Sequence, residues 1–159
     1  EATGIYLAIR LAATQPQPYL RALDAFEYPH QYVVSKSAFE ASLKRARAFM
    51  DMRHTSAVKL QVSGEDGNWS LLIKTPEDES GQHYEESIAI IEANGSVDAA
   101  YNVINLIKGL EAFDEDSVLV KVRDTEQGQL VDKGMCIYHT GDDCTVNVLL
   151  PSMTVSRGF

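Results

Sequence analysis

Few residues in this chain are spaced for bond-making chemistry. Its histidines, His30, His54, His83 and His139, are scattered, with no HExxH and no triad-like grouping. Cys136-x-x-His139 with Cys144 could meet across a hairpin as a metal site. Those ligands lack the usual spacing, however, and neighbours on a strand point to opposite faces. The acidic run PEDES (76–80) lacks the alternation and glycine of a calcium loop. Gly64, Gly67 and Gly95 are turn glycines without a phosphate-loop pattern. No catalytic residue, metal site or cofactor is expected. The chemistry that remains belongs to cations: Lys44, Arg45 and Arg47 fall within SAFEASLKRARAFMD (37–51), and Lys108 falls in a second apolar-periodic stretch. Cations at helical spacing either contact phosphate or form a solvated face.

The element that must position the first three is an amphipathic helix over 37–51. Phe39, Leu43, Ala46 and Met50 make its apolar stripe, and Ser37 with Glu40 fits a capping box. Around it the chain reads as strands. YVVS (32–35) precedes the helix. VKLQVS (58–63) alternates, EDGN (65–68) is a turn, WSLLIKT (69–75) returns as a hairpin partner, and ESIAIIEA (86–93) follows. Residues 97–110 read as a second helix capped by Ser96 or Asp98, with Ala100, Val103, Ile104, Ile107 and Leu110 as its stripe. DSVLVKVRD (116–124), GMCIYHT (134–140) and CTVNVLLP (144–151) are further strands. The order strand–helix–three strands thus occurs twice in 32–151. The class is α+β, with antiparallel sheets and both helices on one side of them. Pro16, Pro18 and Pro29 interrupt the region before it, so 1–30 reads as the end of a preceding domain plus a connector.

Bulk numbers fit this picture. The chain has 159 residues, 45% hydrophobic and 23% charged, enough for one domain with a real core. No apolar run approaches the roughly 20 residues of a membrane span, and no basic–apolar leader opens the sequence. With only Cys136 and Cys144, a reduced cytoplasmic setting is expected. The net charge of −9 does not exclude nucleic acid. Screening over about 8 Å lets a local cation cluster outweigh distant acids.

Several stretches carry a family resemblance. VVSKSAFEASLKRA followed by TSAVKLQVS resembles the opening helix and following strand of the last domain of the bacterial beta sliding clamp, the beta subunit of DNA polymerase III. VINLIKGLEAFDEDSVLVKV resembles that domain's second helix, acidic turn and strand, and VNVLLPSM its C-terminal strand with a proline-containing end. IYLAIRL followed by PQPYLRAL resembles the end of the middle domain and its connector. The resemblance spans nearly the whole chain, in order and spacing rather than in one diagnostic motif. The departures are Gln17 where a proline is expected, a long loop at Asp124–Lys133, and a run from Ser152 to Phe159 beyond the family's usual end.

The resemblance implies the DNA-clamp fold, a pseudo-duplicated βαβββ module with two helices packed on antiparallel sheets. It divides the chain into 1–30, the end of a middle clamp domain, and 31–159, a C-terminal clamp domain. It implies a non-catalytic processivity factor that encircles double-stranded DNA without sequence specificity. Lys44, Arg45, Arg47 and Lys108 would face the DNA. DNA polymerase, the clamp loader and other clamp-binding peptides would dock in a cleft of Tyr19, Arg21, Thr55, Asn102, Leu149, Leu150, Pro151, Ser152 and Met153. Phe49 and Met50 would close a homodimeric ring. A clamp subunit has three such domains, so this chain corresponds to a fragment. Without the resemblance, the residues point to a small α+β protein-interaction module unrelated to DNA.

Overall fold

In a computed structural model of the chain, the described residues are 27–50, 56–65, 67–78, 80–123, 125–127, 130–140 and 147–153. Strand β1 (His30–Ser35) runs straight into helix α1 (Lys36–Phe49), followed by the antiparallel meander β2 (Ala57–Glu65), β3 (Asn68–Lys74) and β4 (Glu85–Ala93). Gly67, at φ 86°, makes the β2–β3 turn in a conformation that favours glycine. The second half repeats the order: β5 (Val97–Asn102), α2 (Val103–Leu110), β6 (Ser117–Val122), β9 (Met135–His139) and β10 (Asn147–Leu150). Between β6 and β9 a separate two-stranded ribbon, β7 (Thr125–Gln127) and β8 (Leu130–Asp132), occupies the region read as a long loop.

The main sheet has eight strands in the order β10-β9-β6-β1-β4-β3-β2-β5, all antiparallel. Strand β4 joins the two halves by changing partner. Glu85–Ala89 pair with β3, whereas Ile90, Glu92 and Ala93 pair with β1, and the register slips at Ile91. This bulge resets the side-chain phase. Ile88 and Ile90 point to the core before it and Ala93 after it, so Glu92 stays in solvent.

Both helices lie against the sheet and against each other. Helix α1 buries Phe39, Leu43 and Ala46, and α2 buries Val103, Leu106, Ile107 and Leu110. Strands contribute alternate residues, such as Val118, Val120 and Val122, to the same core. At roughly 1.5–3 kcal/mol for each large apolar side chain buried, this shared core is the main stabilising term. Helix α2 approaches β10 closely at Gly109, where a methyl group would stand 3.0 Å from Val148 Cγ1.

Three local expectations are corrected. Residues 97–102 are a strand rather than the start of the second helix. Val97, Ala99 and Tyr101 alternate toward the core while Asp98 points out, and the segment pairs with β2 from Val62↔Val97 to Ala57↔Asn102. The helical spacing of Ala100, Val103 and Ile107 was real but subordinate to this pairing. Accordingly the α2 cap is Asn102, whose Oδ1 accepts from the amides of Ile104 and Asn105 at 3.0 Å each, and neither Ser96 nor Asp98. Helix α1 starts at Lys36 and ends at Phe49. Its cap is Ser35, which accepts from Ala38 N–H at 3.5 Å, and Glu40 turns to Lys44 instead of closing a capping box with Ser37. The caps rank by geometry. Asn102→Ala should lower unfolding free energy by about 1 kcal/mol, Ser35→Ala by less, and Ser37→Ala by nothing measurable in urea denaturation.

Candidate nucleic-acid and partner surfaces

The helix pair presents the four predicted cations on the surface, but in two different states. Lys44 Nζ sits 2.5 Å from Glu40 Oε1, one helical turn back, and this pairing raises its pKa. Arg45 reaches off the helix to β4. Its Nη2 donates to both carboxylate oxygens of Glu86, at 2.7 and 2.8 Å, and its Nε to Oε2 at 3.1 Å. Arg47 and Lys108 are exposed and make no ion pair among the described residues. Both stand in the last turn of their helices, where a cation is also favoured by the helix dipole.

The Arg45–Glu86 pair follows from sheet phase. Glu86 is the register partner of the buried Ile73, so its carboxylate points to the helix side at the end of the strand. There it needs partners. Tyr84 OH donates to it, Arg45 closes over it, and Ser42 Oγ lies 3.3 Å from the same phenol. The Tyr84 hydrogen bond first, then Ser42 and Arg45, hold the Glu86 carboxyl at about 2. Phe49 packs its ring on Tyr84 at 5.4 Å between centroids. It is 63% exposed, and with Ile91 at 64% it makes up the exposed large hydrophobics among the described residues. Met50, its neighbour, instead turns inward and packs against the core. Tyr84 and Glu86 had not been singled out in the sequence; only the β3–β4 register reveals that they face α1.

Where the edge strand β5 meets the stretch after β10, through the Ala100↔Met153 bridge, the predicted cleft residues divide. Leu150 is a core residue and Leu149 is half-buried beside it in β10. Pro151 is exposed, Ser152 Oγ accepts from Lys133 N–H at 3.3 Å, and Met153 N–H donates to Ala100 O at 2.8 Å. Asn102, two residues beyond Ala100, spends its side chain on the α2 cap and on Ser56 Oγ, to which Nδ2 donates at 2.8 Å. So Asn102, Ser152 and Met153 do gather at one corner, but Asn102 is a structural cap there and Leu150 belongs to the core. Tyr19, Arg21 and Thr55 lie outside the described residues, as do IYLAIRL (5–11), most of the region 1–30 and the segment around Asp142. No group of three metal-ligating side chains forms among the described residues. Cys136 is buried, while Cys144 and the His139 side chain lie outside them. No described helix is long and apolar enough to cross a membrane.

The duplicated topology, with two neighbouring helices on an eight-stranded antiparallel sheet, is matched by solved structures. The chain has the sliding-clamp fold. The DNA polymerase III subunit beta of Pseudomonas aeruginosa superposes with a TM-score of 0.70 at 18% identity, covering 92% of this chain and 36% of that one. The DNA polymerase sliding clamp of Bacillus subtilis gives 0.71 at 17% identity over 91% and 35%, and the Thermotoga maritima beta subunit 0.69 at 14% over 93% and 36%. This chain therefore spans about a third of the length of the clamps it resembles. No protein-family model and no curated protein matches the sequence. At these identities the likeness establishes the fold.

The low pKa of Glu86 has a directional consequence. A carboxyl held at about 2, against 4.5 for the free group, adds stability above the unfolded value that is lost as pH falls toward 2. Glu86→Gln should therefore flatten the fall in unfolding free energy between about pH 4.5 and 2, measured by denaturation across that range.

Proposed function

We propose that this chain is part of a sliding clamp: the last domain, residues 31–159, preceded by the end of a middle domain and its connector in 1–30. In the intact ring it would encircle duplex DNA, act without catalysis as a processivity factor in the cytoplasm, and dock polymerase, clamp loader and other partners by short peptides. The observation that carries this reading is the pairing of α1 and α2 on one face of a duplicated sheet, with Arg47 and Lys108 exposed on it. Such a face suits phosphate contacts that carry no base information and therefore allow sliding. Phe49 is the apolar residue for ring closure, and the corner of Asn102, Ser152 and Met153 belongs to the peptide cleft together with Tyr19, Arg21 and Thr55.

The paired states of Lys44 and Arg45 refine the DNA-facing set. Glu40 and Glu86 already neutralise them, so they offer less to phosphate than Arg47 and Lys108 do. In a ring containing this domain, Arg47→Ala and Lys108→Ala should each lower the slope of log affinity against log salt by roughly one unit. Lys44→Ala and Arg45→Ala should lower it by less. Retention on nicked circular DNA, with loss on linearising it, is the expected topological signature. Binding that is indifferent to linearisation, with no salt slope, would instead favour the protein-interaction module, a reading supported by the overall charge of −9.

Ring closure has its own test. Phe49→Asp should shift the ring toward single subunits in sedimentation at low micromolar concentration, whereas Met50→Leu should leave assembly unchanged. An unaltered sedimentation profile for Phe49→Asp would remove that residue from the interface.

A further inference from the structure

Strand β4 is followed directly by Asn94-Gly95, the one Asn-Gly pair in the sequence; Asn68, Asn102, Asn105 and Asn147 precede Trp, Val, Leu and Val. Before a glycine, the next backbone nitrogen reaches the asparagine side-chain carbon most readily, because no Cβ obstructs the approach. Attack there expels ammonia and closes a cyclic imide. The reaction needs a polarised carbonyl, an uncommitted N–H and a base, and the fold brings all three to this turn.

The carbonyl is held by β1. Gln31 N–H donates to Asn94 Oδ1 at 2.7 Å, the contact wanted by an oxygen whose negative charge grows as Cγ is attacked. Asn94 N–H in turn donates to Gln31 O at 3.0 Å, which fixes the residue from its own backbone. Among the described residues no hydrogen bond engages Gly95 N–H, nor the Asn94 Nδ2 that must leave. Asn94 is exposed, so ammonia can depart and water can enter. The base is His30. A methyl group on Gly95 would stand 2.4 Å from His30 Nδ1, so the imidazole lies against Gly95 and any larger residue there would have to displace the ring. In the tautomer protonated on Nε2, this nitrogen offers a lone pair. His30 and Gln31 are consecutive in β1, set by the pairs His30↔Val122 and Gln31↔Lys121, so one strand end supplies base and oxyanion donor together.

We propose that Asn94 is a self-modifying site, converted to aspartate or isoaspartate by attack of the Gly95 nitrogen with His30 as the base. The imidazole takes the Gly95 N–H proton as the N–Cγ bond forms. The Cγ–Nδ2 bond then breaks, and that proton goes to the departing nitrogen, which leaves as ammonia. Water opens the imide, so amide plus water become carboxyl plus ammonia with no oxidant or reductant. Opening at Cγ gives aspartate, whose carboxylate still accepts from Gln31 N–H. Opening at the main-chain carbonyl gives isoaspartate and routes the backbone through the side chain. That adds a carbon to the turn between Ala93, in register with Tyr32, and Val97, in register with Val62. Either product adds a negative charge to a chain that already carries −9.

Incubating the 159-residue chain in neutral buffer tests this, with conversion read by ammonia release, peptide mass and labelling by an isoaspartyl methyltransferase. The folded chain should convert Asn94 roughly tenfold faster than the isolated peptide EANGSVD, while Asn68, Asn102, Asn105 and Asn147 stay intact. His30→Ala should slow conversion roughly tenfold with the Gln31 amide still protected from hydrogen exchange. Imidazole added to that variant should restore the rate, which a merely structural role of His30 would not produce. A folded chain that converts no faster than the peptide would overturn the proposal, and this comparison needs no variant. So would an unchanged rate in His30→Ala, or a loss that imidazole leaves unrestored.

Discussion

Strand β4 hydrogen-bonds to two different strands, and the rest of the fold depends on where it changes from one to the other. Up to Ala89 it completes the meander with β3, and from Ile90 it becomes the neighbour of β1. Without the extra residue at Ile91, the alternation would carry Glu92 into the core and leave Ala93 outside. With it, the sheet remains one apolar surface across the joint. Helix α1 exploits this continuity. It touches β1, β3, β4 and β6, so its apolar stripe holds both halves at once.

The same phase rule that keeps Glu92 in solvent turns Glu86 toward the helix. The half-buried carboxylate there is hydrogen-bonded by Tyr84, whose phenol also meets Ser42, and its charge is compensated by Arg45. Arg45, one of the cations that the family resemblance assigns to DNA, is therefore engaged within the fold. Arg45 connects α1 to β4 and, through Tyr84, fixes the ground on which Phe49 lies. The exposed apolar ring and the neutralised acid form one unit, distinct from Arg47 and Lys108, which make no ion pair among the described residues.

Much of this architecture was legible in the residues. The strands with clean alternation, Val58–Val62 and Val118–Val122, and the Phe39–Leu43–Ala46 stripe all fell where expected, because burial on one face writes a period into the sequence. The order of the elements indicated the α+β class, and the family resemblance implied the clamp fold. What failed was local. Residues 97–102 satisfy the helical and the strand period together, and the decision between them lies in β2, a distant segment that no short window contains. Ser35 and Ser37 are equally competent caps in composition, and the structure distinguishes them: Ser35 precedes the first helical residue and accepts from Ala38 N–H. The site was less legible than the fold. Lysine and arginine could be found by type, but whether each was free depended on Glu40, one turn away, and on Glu86, which only tertiary structure brings to Arg45.

The central position of β1 also orders events in time. This strand lies between β4 and β6, and its pairing from His30↔Val122 to Ser35↔Ser117 joins residues that are 82 to 92 positions apart in the sequence. During synthesis, β2, β3 and β4 can zip as local hairpins soon after they emerge. Strand β1 must wait with one edge bare until β6 arrives. Loop closure over so long a separation is slow, and an unpaired central strand is an aggregation hazard while it lasts. The polar residues His30, Gln31 and Ser35, interspersed with its apolar positions, keep that waiting strand soluble.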